Sequence, residues 1–142
     1  MTAERVVAEA RQWIGTPYRH HASLKGVGCD CLGLVAGVWR AMYGNLPEAP
    51  PPYAPDWAEA GVGEPLADAA HRHLVPVSGG EITAGQVLIF RWRDGVAAKH
   101  LAIATGSDRM IHAHDGACVA EVPIARQWRR RIAYRFTFPE TD

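Results

Sequence analysis

The sequence predicts a single α+β domain, residues 1–142, with N-terminal helices packed on a five- to six-stranded antiparallel sheet. Three observations carry this expectation. Helical periodicity is confined to the first half of the chain, whereas the apolar runs from residue 87 onward are short and bounded by turn formers. Helices followed by strands, instead of alternating with them, point to helices layered on an antiparallel sheet. With 142 residues and 48% hydrophobic content, the chain can bury one core but not two.

Each element has a local reason. Thr2 can cap a first helix in which Ala3, Val6, Val7, Ala10, Trp13 and Ile14 follow helical spacing, ended by Gly15-Thr16-Pro17. Asp30 can cap a second, in which Leu34, Val35, Val38, Trp39 and Met42 recur until Gly44 stops the run. Residues Pro47 to Pro55 hold Pro50-Pro51-Pro52, which excludes regular structure and predicts an extended surface connector or a cleft-lining loop. Glu64 to Leu74 reads as a short helix with His71 and His73 on different, exposed faces. Strands are expected at Val87–Arg91, His100–Thr105, Arg109–Ala113, Ala117–Val122 and Ile132–Phe138. Gln86, just before the first of these, reads as a surface turn residue.

Cys31 is the candidate nucleophile. At the start of the second helix its sulfur feels the positive end of the helix dipole, which favours thiolate over thiol. It precedes Leu34, Val35 and Val38 at helical spacing and so faces inward with them. His100 and His112 are its candidate partners. If the turn Gly106-Ser107-Asp108 is centred on Gly106, His100 lies directly opposite His112, with Cβ atoms about 4.5–5.5 Å apart. Ala102 and Ala104 share that face, and Gly33 and Gly37 offer a matching ridge of small residues, so the helix is expected to pack there with Cys31 against His100. A buried cysteine or a strand histidine, taken singly, is more often structural than reactive. A helix-start thiol with an opposed histidine pair is the general form of activated-thiol chemistry.

Gly15-Thr16-Pro17-Tyr18, Asp30-Cys31-x-Gly33-Leu34, Lys99-His100-Leu101-Ala102-Ile103 and Ile111-His112-Ala113 occur in an order that resembles the NlpC family of bacterial cell-wall cysteine peptidases. The resemblance runs from about residue 5 to residue 137 and implies a papain-like arrangement. It assigns Cys31 as nucleophile, His100 as general base and acid, and His112 as the residue that orients His100. Tyr18 would line the cleft beside the thiol, and Asp30 would be the acidic residue next to the nucleophile. The implied substrate is the peptide stem of peptidoglycan, cut between D-glutamate and a diamino acid. The wording around Cys31, the proline-rich middle and the Trp-Arg-Arg-Arg near the end are similar to small peptidases encoded in tail modules of phages and gene transfer agents. That implies tail or baseplate partners, and action on the wall or periplasm of a target cell. Two positions depart from the family: Leu32 stands where serine usually follows the cysteine, and Gln86 where an acidic residue is commoner.

Other chemistries fit less well. No Gly-x-Ser-x-Gly elbow and no phosphate-binding glycine loop is present. Zero net charge gives no global signal for nucleic acid. Neither an export leader nor an apolar run long enough to span a membrane is found, so a wall hydrolase would need a carrier such as a tail. Three cysteines make no disulfide framework, and no cofactor is expected. The rival readings are a zinc site from Cys29, Cys31, His112, His114 and Cys118, whose Cys-x-Cys spacing is tighter than usual, and a non-catalytic tail protein of the same fold. Arg126, Arg129, Arg130, Arg131 and Arg135 read as a solvated edge or, alternatively, as a docking patch for an acidic partner.

Overall fold

Helix α1 (Thr2–Arg11) forms where Val6, Val7 and Ala10 line one buried stripe. It ends before the periodicity does. Gln12, Trp13 and Ile14 donate instead to carbonyls three residues back, a tightened turn that buries Trp13 and leaves Ile14 in solvent. The structure is a computed structural model describing residues 2–47, 63–114 and 116–140, so the proline-rich stretch from residue 48 onward lies outside the described residues.

A small antiparallel ribbon, β1 (Ser23–Leu24) with β2 (Gly28–Cys29), leads into α2 (Cys31–Tyr43), which Gly44 terminates at φ 96° with its N–H on the Arg40 carbonyl. Helix α3 (Pro65–His73) starts on a proline, whose missing N–H costs nothing in the first turn. The strands β3 (Val75–Pro76), β4 (Val87–Phe90), β5 (His100–Ala104), β6 (Arg109–His112), β7 (Ala120–Pro123) and β8 (Ile132–Thr137) form one antiparallel sheet in the order β3-β8-β4-β5-β6-β7. Helix α4 (Arg126–Arg129) joins β7 to β8. The two-residue strands and α4 are too short for any periodicity to announce them.

Both faces of the central strands β4 and β5 are buried. Val87 and Ile89 of β4, with Leu101, Ile103, Ile111 and Phe136, pack against α1, α2 and α3. Leu88 and Phe90, one residue out of phase, join Ala102, Ala104 and Met110 in a second cluster closed by Ile82, Ile124 and Trp128. Each large side chain so buried contributes about 1.5–3 kcal/mol.

This packing corrects two expectations. Helix α2 meets β5 through Leu34, Val35 and Val38 on the Leu101 and Ile103 face, not on Ala102 and Ala104. The small residues of α2 serve other neighbours: a Cβ on Gly33 would lie 1.9 Å from the Ala22 carbonyl oxygen, and one on Gly37 would lie 2.0 Å from the Trp13 ring. The hairpin register also differs. The Thr105 N–H reaches the Arg109 carbonyl at 2.9 Å, and Ile103 pairs with Ile111, so all three residues Gly106-Ser107-Asp108 form the loop and its centre is Ser107. His100 and His112 are therefore diagonal neighbours on one face, not directly opposed.

Candidate active site

The helix start that carries Cys31 is clamped before the chemistry begins. Asp30, at φ −101° and ψ −173°, is the N-cap: its Oδ1 accepts from the Gly33 N–H at 2.7 Å. Its Oδ2 accepts from the His21 N–H at 2.8 Å, so one buried carboxylate binds the loop at 19–22 to the first turn of α2. Ser23 Oγ donates to the Gly33 carbonyl at 2.6 Å, and Arg40 donates to both Ser23 oxygens. Only glycine at 33 permits so close an approach. Asp30, read from sequence as a cleft residue, has both oxygens engaged within the chain.

Cys31 is half-buried against the main core, with its Sγ 3.7 Å from the Lys99 carbonyl oxygen, to which the thiol donates. Burial raises the thiol to about 12; the Asp30 charge adds to this, and the N–H groups of Leu101, Leu32 and Cys31 itself oppose it. The helix start does favour thiolate, as expected, but dehydration outweighs it, and the resting sulfur is a neutral thiol. Lys99 and Leu101 flank His100, so the sulfur meets β5 through the backbone on either side of the histidine.

His100 and His112 are both buried, at 5% and 6% exposure, with His100 Nε2 2.9 Å from His112 Nδ1. Burial holds His100 well below its ordinary value near 6.5, and His112 and His114 add repulsion. His112 is lowered to about 4 by burial and then by His114. Both rings are thus neutral at neutral pH, so one donates and the other accepts across the 2.9 Å contact. That contact commits Nε2 of His100 and leaves its Nδ1 as the nitrogen for a reacting group.

Tyr18 is half-buried against the main core and bridges in parallel to Cys29, which sets it beside the strand leading into Cys31. Leu32 packs against the same core and offers no hydrogen bond. Gln86 is not a surface residue: it is 3% exposed, donates from Nε2 to Thr83 Oγ1 at 3.0 Å and accepts from Arg135 at 3.4 Å. His71 is exposed, as expected, and meets Phe136 and Tyr134 edge-on, whereas His73 is half-buried.

Sequence reasoning missed the aromatic surroundings of His100. Phe90, Trp92, Trp128 and His114 all lie within 5.9 Å of its ring, centroid to centroid. Trp128 stands between Arg126 and Arg129 in the sequence, so the local pattern there is one of charge. Among the described residues, no group of three or more His, Cys, Asp or Glu is placed to hold a metal ion, and Cys29 is sealed in the core. Among those residues, no helix is long and apolar enough to cross a membrane.

The NlpC/P60 family model matches residues 15–135. No curated protein matches the chain. Among solved structures, the NlpC/p60 domain of the peptidoglycan hydrolase SagA is 24% identical, with a TM-score of 0.64 over 97% of this chain and 100% of that one. An NLP/P60 family protein similar to lipoprotein from Staphylococcus aureus is 20% identical, with a TM-score of 0.67 over 99% of this chain. A Bacillus cereus NlpC/P60 family protein is 18% identical, with a TM-score of 0.68 over 97% of this chain. The chain spans 42% and 40% of the lengths of those last two proteins. The likeness of fold agrees with the papain-like arrangement of helices on an antiparallel sheet. With the family model matching most of its length, the chain belongs to the NlpC/P60 family.

Proposed function

We propose that the chain is a thiol peptidase that hydrolyses amide bonds in the peptide stems of peptidoglycan, between D-glutamate and a diamino acid. The observation that carries this reading is the convergence on the start of β5 of a helix-start thiol, Cys31, and a buried His100–His112 pair. Family membership supports the wall substrate.

In this mechanism the Cys31 proton leaves the Lys99 carbonyl for Nδ1 of His100, and Sγ attacks the scissile carbonyl carbon. The His100 imidazolium keeps its Nε2–H on His112 Nδ1, which requires His112 to be neutral with its own proton on Nε2. The oxyanion is held by the backbone N–H at the start of α2, an orphan donor of the first helical turn, with Tyr18 alongside. His100 then protonates the leaving amine, giving a thioester. Water, deprotonated by His100, hydrolyses the thioester and restores the thiol. Leu32 removes the hydrogen bond a serine would give the stem, so stem recognition falls more heavily on Tyr18.

Defined muropeptides incubated with the purified protein, with fragments identified by mass spectrometry, test this directly. Fragments ending in D-glutamate are the expected result. Intact stems after prolonged incubation under reducing conditions would count against it.

We further propose that the enzyme works in a phage or gene-transfer-agent tail, opening the recipient's wall locally so that DNA can pass. The support is the sequence resemblance to tail-module peptidases. Of the arginines read as a docking patch, Arg129, Arg131 and Arg135 donate to carbonyls of their own chain. Arg126 and Arg130, both exposed on α4 and its C-cap, remain as the anchoring pair. Reversing both to Glu is expected to reduce the protein found in purified particles while muropeptide cleavage persists. Detection of the wild-type protein only in host cytoplasm, never in particles, would defeat the idea.

A further inference from the structure

One side chain outside the thiol and histidine set touches every ring around His100. Trp128, on α4, lies 5.4 Å from His100, 5.3 Å from His112, 5.8 Å from His114, 5.6 Å from Trp92 and 5.1 Å from Phe90, centroid to centroid. We infer that Trp128 is a positioning residue for His100, fixing the imidazole against His112 and keeping water from the pair. The inference rests on the proposed role of His100.

The geometry explains how one indole does both. His100, Trp92 and Trp128 stand 5.5, 5.4 and 5.6 Å apart, an almost equilateral triangle, so the two indoles close together over one flank of the imidazole instead of sandwiching it. Trp128 lies at 31° to the His100 ring but at 90° to His112, presenting its face to one histidine and an edge-on contact to the other. A shift of α4 would therefore disturb both partners of the 2.9 Å hydrogen bond. Arg131 ties the two indole-bearing segments together: Nε donates to the Trp92 carbonyl at 3.0 Å and Nη1 to the Gln127 carbonyl at 2.9 Å. The Arg91 N–H in turn reaches the Arg131 carbonyl at 2.7 Å. An exposed arginine in an apparent surface cluster thus clamps the cover over a buried histidine.

The charge environment makes the role measurable. His112 and His114 face His100 from β6 and the residues after it, and the Cys31 thiol, next to Asp30, lies against the Lys99 carbonyl one residue before it. Arg91, next to Trp92, is turned onto Glu64, and Arg129 of α4 onto the Ser107 carbonyl. Burial is the largest cause of the low basicity of His100. Thinning the aromatic cover should admit water and raise that basicity.

The test is the pH dependence of kcat/KM on a defined muropeptide for Trp128→Ala, Trp128→Phe and Arg131→Ala, with kcat and KM resolved. Trp128→Ala is expected to lower kcat about tenfold or more, leave KM nearly unchanged and move the acid limb upward by about one pH unit. Trp128→Phe should recover most of both effects, and Arg131→Ala should show them in smaller measure. An unmoved acid limb with wild-type kcat in Trp128→Ala overturns the inference, as does an equal loss in Trp128→Phe. If Trp128→Ala does not fold, Arg131→Ala decides, and an unmoved limb there overturns it. A His100→Ala protein that cleaves like wild type would instead overturn the reading of the site itself.

Discussion

Cys31→Ser is expected to lower muropeptide cleavage by at least about 10³-fold, since an activated thiol is replaced by an alcohol that a neutral imidazole at this site cannot deprotonate usefully. Stability should change little, within about 1 kcal/mol, because the serine hydroxyl can keep the hydrogen bond to the Lys99 carbonyl. Cys29→Ser and Cys118→Ser serve as controls. Cys29 is fully buried, so no substrate can reach its sulfur, and Cys118 is exposed where it bridges to Pro17. Both variants should cleave, although Cys29→Ser places a hydroxyl in the core and should cost stability. A thiol alkylator should inactivate the wild type more slowly than it would a surface cysteine, because the resting Cys31 sulfur is protonated. Wild-type rates in Cys31→Ser would end the mechanism.

The elements that place the site were legible because their causes are local. Asp30 could be read as a cap and Gly44 as a stop from their residue types alone, and both act so. The strands on which His100 and His112 stand were legible for the same reason. What could not be read was set by tertiary contact. The hairpin register turned on whether Gly106 or Ser107 sits at the loop centre, and the Thr105 to Arg109 hydrogen bond decides this. The partners of Gly33 and Gly37 are a backbone carbonyl and an indole from the N-terminal segment, neighbours that no local pattern reveals. The balance at the thiol was not legible either, because a helix start acts through space at one atom, whereas the opposing dehydration comes from the whole core. Trp128 was missed because its meaning lies in five rings drawn from three separate segments.

His100→Ala should cost more activity than His112→Ala, about 10²–10⁴-fold against about 10–10²-fold, because the first removes the proton acceptor and the second only its orientation. His112→Asn discriminates further: its side-chain oxygen can accept the Nε2–H that His112 Nδ1 accepts, so it should retain more activity than His112→Ala. pH provides an independent check. The unfolded chain binds a proton at His112 near the ordinary 6.5, but the folded chain resists it until about 4. Between those values the unfolded state holds more protons, so unfolding free energy falls as pH drops, by up to about 3 kcal/mol from this residue. Above 6.5 the histidine is neutral in both states and contributes no slope. His112→Ala should therefore flatten the loss of stability between pH 6.5 and 4 in denaturant titrations, on a neutral plateau lowered by the cavity and by the unpaired His100 nitrogen. Equal slopes in the two proteins would mean that His112 is not held neutral by burial, and a greater kinetic loss in His112→Ala than in His100→Ala would exchange the roles of the two histidines.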